Sequence, residues 1–176
     1  MKKTVVLIIA CLCAMEMLMA QDRYVSVGGY FSPKACGISL TNYRPGSFSD
    51  IRLTADLEKV LLGQTAMPGI RADWHLNFIL FQRAINQGLT ANFYAGPGAM
   101  LGYVEDGKSG RGVTAALSGN IGVLFHFAGP LSVSVGFSGN VGAHITWSDK
   151  SGSTMNWYRS GLKNILMPEV GIRYRY

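Results

Sequence analysis

Leu131-Ser132-Val133-Ser134-Val135-Gly136-Phe137-Ser138-Gly139-Asn140-Val141-Gly142-Ala143-His144-Ile145-Thr146-Trp147 alternates without a break. Every odd-numbered residue is apolar or glycine, and every even-numbered one is Ser, Gly, Asn, His or Thr. Side chains on a helix return to one face every 3.6 residues and those on a strand every 2.0, so only an extended strand sorts this stretch into two faces. Ordinary strands run ~5–6 residues, and this one is about three times as long.

The same alternation spreads outward along the chain. Val113, Ala115, Leu117, Gly119, Ile121, Val123, Phe125 and Phe127 oppose Thr114, Ser118, Asn120, Gly122 and His126. Ile70, Ala72, Trp74, Leu76, Phe78 and Leu80 oppose Arg71, Asp73, His75 and Asn77. Ile51, Leu53, Ala55 and Leu57 oppose Arg52, Thr54, Asp56 and Glu58. A soluble sandwich or barrel built from such strands would carry many Lys and Glu on its polar face. Here that face holds Ser, Asn, Gly and mixed Arg/Asp, which suits an enclosed interior. The apolar face is then the outside, the mark of a membrane-spanning barrel. A composition 48% hydrophobic with 22 glycines fits the same reading.

The expected fold is all-β: a closed antiparallel up-and-down transmembrane β-barrel of about eight strands. The strands are predicted at 24–31, 37–44, 49–62, 67–82, 88–105, 112–127, 131–147 and 165–176. An even number places both ends of the domain on one side. The sixth connection, Ala128-Gly129-Pro130, is a tight turn on that side. The seventh, Ser148 to Asn164, is the longest and is expected as an external loop. Ser118-Gly119-Asn120 recurs as Ser138-Gly139-Asn140. Pairing Phe127 with Leu131 sets Ser118 against Asn140 and Asn120 against Ser138, as cross-strand hydrogen-bonded pairs. Pro97 and Pro168 cannot donate to a ladder, so each predicts a bulge or a strand start.

Residues 1–20 read as a signal peptide: Met1-Lys2-Lys3, an apolar run, then Leu18-Met19-Ala20 before Gln21. The run is too short for the ~20 residues that cross a bilayer as a helix. The barrel domain is therefore expected at 21–176. Its charge, once Lys2, Lys3 and Glu16 are removed, falls from +6 to about +5. Export removes the nucleic-acid reading that a basic chain would otherwise invite. Cys36 alone remains of three cysteines, so no internal disulfide is expected.

Glu169-Val170-Gly171-Ile172-Arg173-Tyr174-Arg175-Tyr176 resembles the carboxy-terminal assembly signal of bacterial outer-membrane barrels. Glu169, Gly171, Tyr174 and Tyr176 fill its polar, glycine and two aromatic positions, with Tyr176 where such proteins most often end in Phe. In length and strand number the chain resembles the small OmpA/OmpX-like barrels of the porin superfamily. The resemblance implies a Gram-negative outer-membrane location and insertion by the barrel assembly machinery through edge pairing. It implies no particular activity. No appended periplasmic domain is expected, and the mature protein is expected to be monomeric.

The candidate chemistry lies on the polar face. Arg52, Asp56, Glu58, Arg71, Asp73, His75, Asn120, Asn140, His144, Arg173 and Arg175 are expected as a polar network filling the lumen, since eight strands leave an interior that side chains just fill. His75, His126 and His144 sit on three different strands with no ligand spacing, so no metal, cofactor or catalytic site is expected. Trp157, Tyr158 and Arg159 are expected as external contacts for a partner or for lipopolysaccharide. The expected role is structural or interactive. A small gated pore is the alternative, and a lipid A-modifying enzyme the second alternative. Changing Tyr174 and Tyr176 to Ser is expected to leave export intact but stop insertion. Periplasmic accumulation and loss of heat-modifiable mobility would report this, with Trp157 and Tyr158 changed to Ser as the control that still inserts.

Overall fold

The computed structural model describes residues 24–57, 68–106, 110–148 and 152–176. The predicted signal peptide, Glu58 and the end of the third predicted strand lie outside the described residues. The strands are β1 (Tyr24–Phe31), β2 (Ala35–Arg44), β3 (Ser47–Asp56), β4 (Gly69–Asn86), β5 (Leu89–Glu105), β6 (Arg111–Phe127) and β7 (Leu131–Ser148). β8 (Gly152–Trp157), a short helix α1 (Arg159–Lys163), a 3-10 turn (Asn164–Leu166) and β9 (Pro168–Arg175) follow.

Consecutive strands from β1 to β7 pair antiparallel, and β9 pairs with both β7 and β1, which closes the sheet. One circuit of the pairing runs Leu131, Tyr174, Val27, Leu40, Ile51, Trp74, Ala99, Leu117 and back to β7 at Val141. The return point lies ten residues further along β7, a stagger that tilts the strands by about 40°. All nine residues of this circuit are apolar and point outward. The start of β1, the end of β9 and the connections β2–β3, β4–β5 and β6–β7 share one rim of the barrel, the tight-turn end. There Arg44-Pro45-Gly46-Ser47 turns on Gly46 at φ 74°, with proline before it fixing the first corner.

Three expectations need correction. The seventh connection is not a simple loop. β8 pairs with the far half of β7 (Ala143 to Ser148), β9 pairs with the near half (Leu131 to Phe137), and α1 with the 3-10 turn lies between them. The eighth stave of the barrel is thus one strand broken by a helical insertion. The last strand consequently starts at Pro168, not at residue 165, and that proline does serve as a strand start. Pro97 makes no bulge. The β4–β5 register is the same on both sides of it, with pairing absent only between His75–Gly98 and Phe78–Ala95. The bulges fall instead at Ile79/Phe81 and Ala84/Asn86, where β4 runs on past the end of β3.

The β6–β7 register sets Ser118 opposite Asn140 and Asn120 opposite Ser138, as the repeat implied. Gly142, inward on β7, lies against Ala115 O and Ala116 across the ladder. Gly142→Val is therefore expected to destabilise the folded barrel by ~1–3 kcal/mol through overpacking. A urea titration read by electrophoretic mobility measures this, and an unchanged midpoint would refute the close approach.

Candidate functional site

The inward face sorts into three layers. At the tight-turn end Tyr43, Phe48, Tyr94 and Leu124 pack together, with Ile79 against them. The Phe48 and Tyr94 rings meet edge to face, centroids 5.0 Å apart, and Tyr24 stacks on Tyr43 at 4.5 Å. At the opposite end Met100, Val104, Ala116 and Tyr158 form a second apolar cluster. Charged side chains occupy the space between the two.

Asp50 is the centre of that middle layer. Its side chain is 0% exposed and takes Arg52 Nε at 2.6 Å, Arg173 Nη2 at 3.1 Å and the Thr41 hydroxyl at 2.8 Å. Arg52 also reaches Glu169 at 3.0 Å and stacks its guanidinium 4.6 Å from the Tyr30 ring centre. Ser138 donates to the other Glu169 oxygen, and Arg173 donates to Ser134 Oγ at 2.9 Å. Arg71 donates to Thr54 at 3.0 Å and lies 3.4 Å from Asp73. Three guanidinium groups thus meet three carboxylates in one buried layer. A lone buried charge costs several kcal/mol, and mutual pairing with extra hydrogen bonds is what makes this tolerable.

The structure brings together Arg52, Arg71, Asp73 and Arg173 of the expected network, and adds Asp50 and Glu169. Asp50 lies on the inward face of β3 two residues before Arg52, so continuing the alternation past Ile51 would have found it. Glu169, read as part of a terminal motif, is also a lumen ligand. His75 bonds Ser118 at 3.1 Å across Gly98. His144 lies further toward the opposite end, bonded to Thr114 at 2.7 Å and Gly110 O at 3.0 Å. Asn120 and Asn140 are buried, but Ser118 and Ser138 bond His75 and Glu169 rather than the facing asparagines. Asp56 is half-buried at the end of β3. Among the described residues no group of three or more His, Cys, Asp or Glu has the geometry to hold a metal.

Two expectations fail here. Arg175 does not join the network. It sits at the tight-turn rim, donating to Phe127 O at 3.0 Å and to Gly129 O, with Tyr24 beneath its guanidinium. Its place at the end of β9, beside the β6–β7 turn, explains this. Tyr158 is not an external contact, being 2% exposed with its ring in the lumen cluster. Leaving β8, the chain turns inward there, and Tyr158 N donates to Gly142 O at 3.0 Å. Trp157 is 73% exposed and Arg159 is exposed, as expected of surface residues.

Asp106, after β5, accepts the backbone N–H groups of Arg159 at 3.0 Å and Ser160 at 2.8 Å. Burial alone would raise its pKa, but hydrogen bonding from the Ser160 side chain and from these two backbone groups outweighs burial and holds it below the ordinary carboxylate range. The ionised carboxylate caps the first turn of α1. Of the terminal-motif residues, Glu169 and Gly171 point inward, while Tyr174 and Tyr176 point outward with centroids 5.6 Å apart.

No family model matches this chain, and no curated protein matches it. Among solved structures, it is similar to a major outer membrane protein from Thermus thermophilus. Identity is 11%, 89% of this chain and 100% of that chain are covered, and the TM-score is 0.49.

Asp50→Asn leaves Arg52 and Arg173 buried against a neutral amide. It is expected to cost about 3–5 kcal/mol of unfolding free energy, against ~1 kcal/mol for Ser138→Ala. Equal effects in a urea titration would show that Asp50 does not centre the layer.

Proposed function

We propose that the chain is an integral outer-membrane barrel with a structural and surface-contact role, its lumen filled and its external end presented to lipopolysaccharide or a partner. The observation that carries this reading is the outward circuit from Leu131 round to Val141. Apolar side chains at every strand in such a belt suit hydrocarbon, and a closed ladder leaves no unpaired edge within it. Export by residues 1–20 and insertion by the assembly machinery through Glu169 to Tyr176 belong to the same reading. The described residues of the external end include Trp157 and Arg159, an aromatic and a cation of the kinds found at head-group level.

The filled lumen favours a plug over a pore. Apolar clusters lie at both ends, and the ions between them are paired with one another. A lipid-modifying enzyme is disfavoured by where the histidines point. The His75–Ser118, His126–Ser132 and His144–Thr114 pairs all face inward, on the other side of the wall from any acyl chain.

Spin labels at Val135 and Val141 are expected to be accessible to oxygen and shielded from water, and labels at Ser134 and Ser138 to make no lipid contact. The opposite pattern would identify a soluble barrel. Val135→Arg is expected to weaken insertion by ~2–4 kcal/mol near the midplane. Planar-bilayer recording is expected to show no stepwise conductance; regular steps would transfer the choice to the pore.

A further inference from the structure

The outer wall carries a groove of about 430 Å³ where β6 and β7 pass the helical insertion. Its floor is the directly paired Gly119 and Gly139, and its walls include Ile121, Phe137, Val141 and Ile165. Among the described residues no charged side chain lines it. Glycine inside a strand costs roughly 0.5–1 kcal/mol against alanine, and most glycines within the strands of this barrel face neighbouring atoms that leave no room for a side chain. Gly119 does not. A Cβ there would meet nothing within 4 Å, and one at Gly139 would meet only the Ile165 side chain, a wall of the groove itself. Nothing among the described residues needs Gly119 to be bare.

The insertion that contributes Ile165 to the groove carries a cation further towards the external end. Ile165 lies over Gly139, Gly161 against Asn140, and Tyr158 against Gly142, so α1 runs along β7 from the groove towards the external end. Arg159 stands at that end, exposed, its backbone fixed by Asp106, with exposed Trp157 two residues before it.

We propose that the groove holds one acyl chain of an anionic membrane lipid whose phosphate lies at Arg159. This rests on the reading of the barrel as membrane-inserted. Around the whole circuit the groove's neighbours are apolar and outward-facing, so what fills it is what bathes them. A bilayer chain is slender enough to enter where two adjacent strands lack side chains, and the phosphate then meets a guanidinium rather than a bare apolar rim.

The test uses the full chain folded into vesicles of phosphatidylcholine and phosphatidylglycerol, doped with phosphatidylglycerol carrying a mid-chain diazirine. After irradiation, label at Phe137, Val141 and Ile165 should exceed that at Ile38 and Leu53, across the barrel, severalfold. Gly119→Leu puts a side chain into the groove from a position where its Cβ meets nothing within 4 Å. It should reduce groove label to the level of Ile38 and Leu53 while heat-modifiable mobility still reports a folded barrel. Arg159→Gln should reduce label from the phosphatidylglycerol probe but not from a phosphatidylcholine probe with the same chain. Uniform label round the wild-type belt, groove label that survives Gly119→Leu, or cross-links from the groove to a second copy would each overturn the groove while leaving the membrane reading intact. An unlabelled belt would overturn both.

Discussion

Closure of the sheet by β9 is the constraint on which everything else depends. β9 is only eight residues long, yet it pairs with β1 on one side and β7 on the other and so closes the ring. Once the ladder closes, each side chain faces either in or out, and a strand can serve both environments only by strict alternation. The stagger of ten residues fixes which rows share a level. It therefore brings Asp50 of β3, Glu169 and Arg173 of β9 and Ser138 of β7 to one depth, though they lie far apart in sequence.

The interior that results is polar but not free to ionise at will. Three arginines and three acids are enclosed between aromatic and aliphatic clusters, so each charge needs a partner within the layer. Asp50 satisfies two arginines at once, and Glu169 accepts from both Arg52 and Ser138. Removal of one member leaves others stranded, so the layer behaves as a unit rather than as a set of independent pairs. Such an interior ties five strands, β2, β3, β4, β7 and β9, through side chains as well as through the ladder.

Much of this was legible in the sequence because alternation is a local property. The period of two from Leu131 to Trp147 marked the strand and its apolar face, and the Ser-Gly-Asn repeat with the short turn at 128–130 set the β6–β7 register. What local reading missed was every place where the period changes. Phe78, Ile79, Leu80 and Phe81 are four apolar residues in a row, which strict alternation forbids, and the first β4 bulge is there. Beyond Ser148, Met155 and Trp157 resume the outward parity and Tyr158 the inward one, though as an aromatic rather than a polar residue, and Leu162, Ile165 and Leu166 then follow helical spacing. The lumen contacts depended on stagger, which no single strand encodes: parity points Arg175 inward, and only the level of the β6–β7 turn explains why it caps carbonyls at the rim.

The broken eighth stave shows how a barrel can depart from the ladder without exposing its backbone. A helix supplies its own hydrogen bonds, as a strand without a neighbour cannot, and Asp106 takes two of the N–H groups that the first turn of α1 leaves over. Leu162, Ile165 and Leu166 keep the outer surface apolar across the break, while Tyr158 fills the lumen that the missing strand would have lined. The cost falls on β7. Between Phe137, its last pairing with β9, and Ala143, its first with β8, its contacts with the insertion are the Tyr158–Gly142 bond and the packing of Gly161 and Ile165. Among the described residues β7 has no ladder partner on this side here, and the buried layer, through Ser138 and Glu169, adjoins the groove on the outer surface.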